Sequence, residues 1–238
     1  FAHEHTEKFN ASNAGLTAVD PKTGQILTMV GSRDYFDEEI DGNFNVAINP
    51  NRQPGSAFKP FVYATAFKKG FTPETTVFNL KTQFQTTCEP DDLDTAGEEG
   101  KEECYSPVNY DGVFSGPMTF RDALAQSVNV PAVKALYLSG LRDSLRTAKD
   151  MGIKGLADIN RYGLTLVLGG GEVSLLNMTS AYGVFANEGV RNEPVAILKV
   201  EDGAGNTIEE FTQRTETVLP SNTARQISDI LSDEDARA

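Results

Sequence analysis

Two short, mainly apolar stretches near the start of the chain are each bounded by turn residues, as strands are. They cover residues 15–20 and 25–30, and the tetrapeptide Pro-Lys-Thr-Gly between them is typical of a tight turn. We therefore predict a β-hairpin. A second hairpin is predicted from residues 195–200 and 207–211, which flank the turn sequence Asp-Gly-Ala-Gly-Asn.

Apolar residues recur at helical spacing in six other segments. These predicted helices cover residues 56–69, 119–126, 130–138, 141–151, 174–187 and 220–231. Residues 32–55 are polar and predict a long loop, and residues 71–117 show no sustained period. Strands near both ends with helices between them predict an α/β fold of the α+β type, in which helices flank an antiparallel sheet.

Composition and charge narrow the choice of partners. The 238 residues carry a net charge of −13, and 39 % of them are hydrophobic. This hydrophobic fraction is sufficient for a folded core. The negative net charge argues against nucleic acid as a binding partner, because phosphate binding needs clustered Lys and Arg. The sequence contains no run of about 18 apolar residues, so it predicts no membrane-spanning segment. Because the sequence begins with Phe1 and not Met, we expect an excised piece whose missing flanks could carry a membrane anchor.

Two cysteines bracket a strongly acidic segment. Between Cys88 and Cys104 lie eight acidic residues and one Lys. One interpretation is a disulfide that closes this segment outside the cytoplasm and stabilises the fold by about 3 kcal/mol. The other is a pair of unrelated free thiols. No Cys-x-x-Cys and no His pair accompanies them, so the sequence does not predict a zinc site.

The strongest candidate for chemistry is the pair Ser56 and Lys59, which follows Pro-Gly at the head of an apolar run. Residues three apart on a helix share a face. Ser56 would lie in the first turn, where free N–H groups favour a developing oxyanion. Lys59 can act as the base that the hydroxyl needs if burial lowers its pKa. A capping Ser and a solvated Lys are the ordinary alternative, since Ser-x-x-Lys is common by chance.

A second pair adds weight to the first. The sequence DALAQSVNVPAVKAL places Ser127 and Asn129 at a predicted helix end that Pro131 breaks. Ser127 could relay a proton to a leaving group, and Asn129 could hold a substrate amide with its donor and acceptor. A helix cap or turn is the alternative interpretation of this pair.

Three longer stretches connect the two pairs to a known family: RQPGSAFKPFVYATAF, SPVNYDGVFSGPMTFRDALAQSVNVPAVK and LVLGGGEVSLLNMTSAYGVFANEG. Together with Ser-x-x-Lys followed by Ser-x-Asn, they resemble the transpeptidase domain of bifunctional class A penicillin-binding proteins. LTAVDPKTGQILTMVGSRDY resembles the strand pair that opens that domain. The resemblance covers nearly the whole chain.

The resemblance implies a fold, a reaction and a set of roles. The fold would be that of serine β-lactamases and DD-peptidases. Ser56 would attack the peptide bond before the terminal D-alanine of a peptidoglycan stem peptide, and an amine of a neighbouring stem would take the acyl group. Lys59 would be the base, Ser127 the proton relay and Asn129 the substrate-binding amide. β-Lactams would block the serine, and neither a cofactor nor a metal is implied.

The resemblance also implies a place and an extent. Such enzymes work at the extracytoplasmic face of the bacterial membrane, to which segments outside this chain would attach the protein. We expect residues 1–238 to be one partial transpeptidase domain, without the glycosyltransferase domain and without a membrane anchor.

The third motif of the family departs from the pattern. The chain has Lys-Thr-Gly only at residues 22–24, in a predicted hairpin turn, whereas the family has it after Ser-x-Asn. The final QISDILSDEDARA resembles the segment shortly before the true motif. We therefore expect the last strands to be missing and turnover by these residues alone to be impaired, since one lost oxyanion donor costs about 10²–10³ in rate.

Alternative functions and two further motifs complete the sequence evidence. A carboxypeptidase or β-lactamase of the same fold needs a base that activates water, and a non-catalytic β-lactam sensor or interaction module needs none. Residues 169–171, Gly-Gly-Gly, predict a tight turn and not a phosphate loop, because no Lys-Ser/Thr follows. We interpret Glu172 as a first-turn acid of the next helix and not as a hydrolytic base.

Overall fold

A computed structural model describes residues 4, 8–93, 104–156 and 159–237 of the chain. Its strands are β1 Leu16–Val19, β2 Ile26–Val30, β3 Thr76–Asn79, β4 Gly116–Thr119, β5 Val190–Asn192, β6 Lys199–Glu201, β7 Thr207–Glu210 and β8 Thr215–Thr217. Its α-helices are α1 Lys59–Lys68, α2 Phe120–Ala125, α3 Asn129–Ser139, α4 Leu141–Asp150, α5 Leu175–Ala186, α6 Ser221–Ser232 and α7 Glu234–Arg237. In this part of the chain no helix has the length and apolarity needed to span a bilayer.

All strand pairs are antiparallel, which confirms the predicted α+β class. The predicted hairpins are present as β1–β2 and β6–β7, both shorter than expected. The pairs β3–β4 and β5–β8 were not predicted. Each joins strands of three or four residues that are distant in the sequence, and such short strands carry no readable period. Within the described residues no sheet has more than two strands.

Helix α1 lies at the centre of the core. Nine of its ten residues are buried, and it contacts helices α2, α3, α4 and α6. The ring of Phe61 packs against those of Phe58, Tyr182 and Phe185 at centroid distances of 5.5–5.6 Å. A helix that is apolar all round is buried on every side. The position of its first residue, Lys59, is therefore fixed by the whole core.

The start of this helix differs in one detail from the prediction for residues 56–69. Gly55–Phe58 form a 3-10 turn, and the α-helix begins only at Lys59. Pro60 lies in the first α-helical turn, where its missing N–H breaks no hydrogen bond.

The prediction for Pro131 is wrong. This residue breaks no helix, because α2 ends earlier, at Ala125, and Pro131 lies in the first turn of α3. A proline there is tolerated, since first-turn N–H groups have no helical partner. Ser127 and Asn129 consequently lie at a junction between two helices.

Two further features of the irregular regions can be compared with the sequence analysis. Cys88 and Cys104 form a disulfide with a Cα–Cα distance of 6.0 Å, which decides between the two interpretations of the cysteines. Residues 94–103 of the acidic segment lie outside the described residues. The Lys-Thr-Gly at residues 22–24 forms the predicted turn, in which the Gly24 N–H donates to the Asp20 carbonyl at 2.8 Å.

Candidate active site

The amine of Lys59 is the centre of a small polar cluster inside the apolar core. The residue is 1 % exposed. Its Nζ donates to the Ser127 carbonyl at 2.5 Å, to Ser127 Oγ at 3.1 Å and to Asn129 Oδ1 at 2.8 Å. Three of the four predicted site residues therefore meet through direct hydrogen bonds, although 68 and 70 positions separate Lys59 from its partners.

Burial changes the acid–base chemistry of this amine. It lowers the pKa of Lys59 from its ordinary 10.5 to about 8, because the charged form loses its hydration. The acceptors around Nζ are a carbonyl, a hydroxyl and an amide, and none of them is a carboxylate. A neutral amine is thus accessible near physiological pH, and it can take a proton from an adjacent hydroxyl.

Ser127 is held in this cluster by a strained helix end. The Val128 N–H donates to the Ala123 carbonyl at 2.9 Å, and the Ser127 N–H donates to the Leu124 carbonyl at 3.1 Å. This is the Schellman arrangement that closes a helix, in which the residue at this position is usually glycine. Ser127 has a φ of 58°, a conformation that costs an L-residue about 1–2 kcal/mol. The junction presents both Ser127 oxygens to Lys59.

Ser56 lies one turn before Lys59, in the 3-10 turn Gly55–Phe58. The backbone N–H of Lys59 donates to the Ser56 carbonyl. The Ser56 side chain is exposed. Backbone geometry connects Ser56 to the cluster, whereas direct side-chain contacts connect the other three residues.

A cavity of about 420 Å³ lies beside this turn. Its lining includes Gln53, Gly169 and Val108. Gly169 lies against Gly55, and the Val108 carbonyl accepts a hydrogen bond from Asn129 Nδ2 at 3.0 Å. The cavity therefore borders residues that contact the Ser56 turn and Asn129, although Ser56, Lys59, Ser127 and Asn129 do not themselves line it.

Sequence comparison assigns the chain to a known family. A family model described as the penicillin binding protein transpeptidase domain matches residues 14–238. The chain belongs to this family.

Relatives of this transpeptidase domain are known in several bacteria. Penicillin-binding protein 2D of Bacillus subtilis (strain 168) is 35 % identical over 223 residues, which are 92 % of this chain and 30 % of that protein. The crystal structure of Penicillin-Binding Protein 1A from Haemophilus influenzae matches with a TM-score of 0.70 at 27 % identity, over 85 % of this chain and 28 % of that one. The chain thus spans less than a third of the length of either protein.

A third match extends the likeness in fold. The structure of the PonA1 protein from Mycobacterium tuberculosis in complex with penicillin V has a TM-score of 0.73 at 17 % identity, and the match covers 96 % of this chain and 58 % of that one. At this identity the match shows the fold alone. The predicted family and fold are confirmed.

Asn109, which is 4 % exposed, contacts the candidate site and was not among the predicted site residues. Its Oδ1 accepts from the backbone N–H groups of Asn129 and Val130, both at 3.1 Å. Asn109 therefore caps the start of α3 from a distant loop, as a local N-cap residue otherwise would. Its Nδ2 donates to Asn79 Oδ1 and to the Val113 carbonyl, both at 2.7 Å.

The sequence contains a weak indication that Asn109 matters. It lies in the quoted stretch SPVNYDG, which contributed to the family resemblance without a stated role. Its partner Asn79 is 3 % exposed and ends the unpredicted strand β3. Leaving a buried amide without a hydrogen-bond partner is costly, so two buried amides that bond to each other hold their side chains in one arrangement.

The glycine triplet contacts the turn of the candidate site that carries Ser56. Gly169 has a φ of 93°, and a Cβ added there would lie 2.2 Å from the Gly55 nitrogen. The backbone of the predicted turn thus packs directly on the turn that carries Ser56. On the other side of Ser56, Tyr182 Oη donates to the Ala57 carbonyl at 2.8 Å.

The interpretation of Glu172 as a helical acid is wrong. Helix α5 begins at Leu175 with Ser174 as its N-cap, so Glu172 precedes the helix. Its carboxylate accepts from Arg161 Nη2 at 3.1 and 3.2 Å. This ion pair gives Glu172 a structural partner outside the Lys59 cluster.

Proposed function

We propose that this chain is the acyl-transferring part of a serine D,D-transpeptidase that cross-links peptidoglycan stem peptides. The Ser56 hydroxyl attacks the carbonyl carbon of the peptide bond before the terminal D-alanine. That bond breaks, D-alanine leaves with a proton on its amine, and an ester to Ser56 remains. An amine of a second stem then attacks the ester, forms the cross-link and returns the proton to Ser56.

The other three residues divide the proton transfers and the substrate binding. Lys59, in its neutral form, takes the proton of the Ser56 hydroxyl. Ser127 passes a proton from the amine to the departing D-alanine nitrogen. Asn129 uses one N–H of its amide toward Val108, and the second N–H is available to a substrate carbonyl.

One observation carries this proposal: the amine of Lys59 is buried among neutral acceptors, next to the backbone turn that exposes Ser56. A buried lysine without a carboxylate partner is expensive for stability and useful as a base. The family membership supports the same roles. The penicillin V complex of the PonA1 protein supports β-lactams as inhibitors that acylate Ser56.

The place of action is part of the proposal. Stem peptides lie outside the cytoplasmic membrane, so the domain would work at the extracytoplasmic face. A disulfide between Cys88 and Cys104 suits that oxidising compartment. Attachment to the membrane would come from segments outside this chain.

Labelling with a fluorescent penicillin tests the nucleophile in the full-length protein. Ser56→Ala should abolish covalent labelling, because no other hydroxyl would form the ester. The exposed Ser12→Ala is the matched control and should label like the unchanged protein. Undiminished labelling of Ser56→Ala would show that the nucleophile is wrong.

A second assay separates transfer from hydrolysis. The protein is incubated with a stem peptide ending in D-Ala-D-Ala and with an acceptor amine, and the products are identified by mass spectrometry. The proposal expects the cross-linked product and free D-alanine in equal amounts. Free D-alanine with only the trimmed peptide would indicate a carboxypeptidase, and a stable acyl-enzyme without any product would indicate a sensor.

A further inference from the structure

A second cavity, of about 720 Å³, lies along helix α4 and the segment that follows it. Of the described residues that line it, five are cationic and none is acidic. The cations are Arg142, Arg146, Lys149, Lys154 and Arg191. This concentration is unusual because the chain as a whole carries a net charge of −13.

Two of these cations are neutralised by neighbours. Arg146 pairs with Asp143 at 2.8 Å. Arg191 pairs with Glu193 at 2.8 Å and lies 3.9 Å from Glu216. Their charges are therefore largely satisfied within the fold.

The other three cations, Arg142, Lys149 and Lys154, are exposed and have no ion pair within residues 8–93, 104–156 and 159–237. Arg142 and Lys149 lie about two turns apart on α4, and Lys154 lies in the segment that follows the helix. An anionic ligand in the cavity would pair with these three charges, which the described part of the fold leaves without an ion pair.

The base of the cavity has a different character. Leu145, Ile153 and Leu156 line it and are at most 9 % exposed. A ligand that fills this cavity therefore needs an apolar group at its centre and negative charges around it. Inorganic phosphate and phosphate polymers offer only the charges.

The shape of the cavity also argues against a membrane surface. Peripheral binding to lipid requires apolar side chains that protrude into the headgroup region. Here the apolar side chains are recessed, and the cations surround them. A peptide side chain can reach into such a recess, whereas a lipid headgroup layer cannot follow it.

We propose that this cavity binds an acidic segment of a partner protein, in which carboxylates flank a leucine or a similar apolar side chain. The carboxylates pair with Arg142, Lys149 and Lys154, and the apolar side chain packs on Leu145 and Ile153. None of these residues belongs to the Lys59 cluster, so the inference does not depend on the proposed acyl transfer.

The test measures binding of a fluorescein-labelled peptide, Glu-Asp-Leu-Asp-Glu, to the full-length protein by fluorescence anisotropy. The double variant Arg142→Glu/Lys149→Glu should weaken binding at least ten-fold. The matched control Lys22→Glu/Arg214→Glu changes the net charge equally at exposed positions that do not line the cavity, and it should change binding less than two-fold. Penicillin labelling of both variants checks that they remain folded.

A second probe tests the apolar recess. Replacing the leucine of the peptide by serine should weaken binding at least ten-fold, because the peptide then loses its apolar contact with the recess. Equal binding of the two peptides would overturn the role of Leu145 and Ile153.

Four results would overturn the proposal as a whole. One is the absence of binding at millimolar peptide, and another is an equal loss in the two double variants, which would indicate unspecific charge attraction. Tighter binding of polyphosphate or of phosphatidylglycerol vesicles than of the peptide would assign the cavity to another ligand class. A dimer in sedimentation velocity that only Arg142→Glu/Lys149→Glu dissolves would make a second copy of the chain the occupant.

Discussion

Burial greatly increases the fraction of the Lys59 amine that is neutral at pH 7. A solvated lysine is about 0.03 % neutral at pH 7, whereas a pKa of about 8 makes roughly a tenth of the amines neutral. The gain in usable base is several hundred-fold, and it comes from burial alone. The pH dependence of the proposed reaction should therefore follow the protonation state of Lys59.

The rate of acylation by penicillin should therefore rise with pH and level off near pH 8. Because the pKa of Lys59 is lowered in the folded protein, the neutral base is populated above about pH 8 and is lost as the pH falls below it. The rate should drop about ten-fold per pH unit between pH 7 and 5. Stopped-flow labelling measures this profile, and an inflection near pH 10.5 would contradict it.

The variant Lys59→Arg should be acylated at least 100-fold more slowly at every pH, since a guanidinium stays protonated.

The backbone of Ser127 gives a second prediction. Ser127→Gly and Ser127→Ala both remove the hydroxyl that contacts Lys59, so both should acylate far more slowly than the unchanged protein. They should differ in stability, because glycine adopts the φ of 58° without strain and alanine does not. Urea denaturation should show Ser127→Gly to be more stable than Ser127→Ala by about 1 kcal/mol. Equal stability would mean that this helix end is not strained.

Asn109 should act as a positioning residue for Asn129. Asn109→Ala removes the acceptor for two α3 N–H groups and the donor to Asn79 Oδ1. We expect a loss of about 1–3 kcal/mol in unfolding free energy and a ten-fold or greater loss in acylation rate. The exposed Asn222→Ala is the control.

A readout beyond stability distinguishes positioning from a general effect on the fold. Asn109→Asp keeps the oxygen that accepts from Asn129 and Val130 and should recover part of the acylation rate that Asn109→Ala loses. If the two variants lose stability and rate in the same proportion, Asn109 has only a structural role.

At the level of elements, the site depends on how three short segments meet. The 3-10 turn of Ser56 leads into the central helix α1, the α2–α3 junction supplies Ser127 and Asn129, and the turn at residues 169–171 packs against Gly55. Each segment is held by a core helix or by backbone contact. The proposed reaction therefore relies on preorganised groups, which need little rearrangement before they act.

Gly169→Ala should disturb this arrangement. The added Cβ would overlap the Gly55 backbone, and the φ of 93° is unfavourable for alanine. We expect at least a ten-fold loss of acylation rate and a lower melting temperature. Gly163→Ala is the matched control, because a Cβ there meets no atom within 4 Å. Full activity of Gly169→Ala would show that the turn does not position Ser56.

At the level of the whole molecule, the Cys88–Cys104 disulfide acts on the unfolded chain more than on the site. It joins residues 16 positions apart in the sequence. A crosslink restricts the unfolded ensemble, and a loop of this size contributes about 3 kcal/mol.

The double variant Cys88→Ser/Cys104→Ser should lower the unfolding free energy of the domain by about this amount. Chemical denaturation with and without a reducing agent measures it, and the reducing agent should have no further effect on the variant. A variant as stable as the oxidised protein would contradict the prediction.

The sequence alone determined most of the helices and indicated the residues that we propose carry the chemistry. Ser56 and Lys59 are close in sequence, so local helical geometry brings them together. Five of the six predicted helices are present with ends shifted by one or two residues, and the sixth, residues 56–69, begins as a 3-10 turn. Apolar periodicity extends over several turns in helices. Strands of three or four residues are too short for it. The turn sequences between their strands revealed the hairpins β1–β2 and β6–β7, whereas β3, β4, β5 and β8 pair with strands distant in the sequence and have no such turn.

Only the tertiary structure decided how those residues act. Contacts over 68 and 70 positions bring Ser127 and Asn129 to Lys59, and the surrounding core sets the pKa of the amine. The cap from Asn109 and the packing of Gly169 on Gly55 depend equally on long-range folding. The physical reason is that burial and charge environment arise from residues distant in the sequence, whereas spacing along the chain specifies only which side chains share a local face.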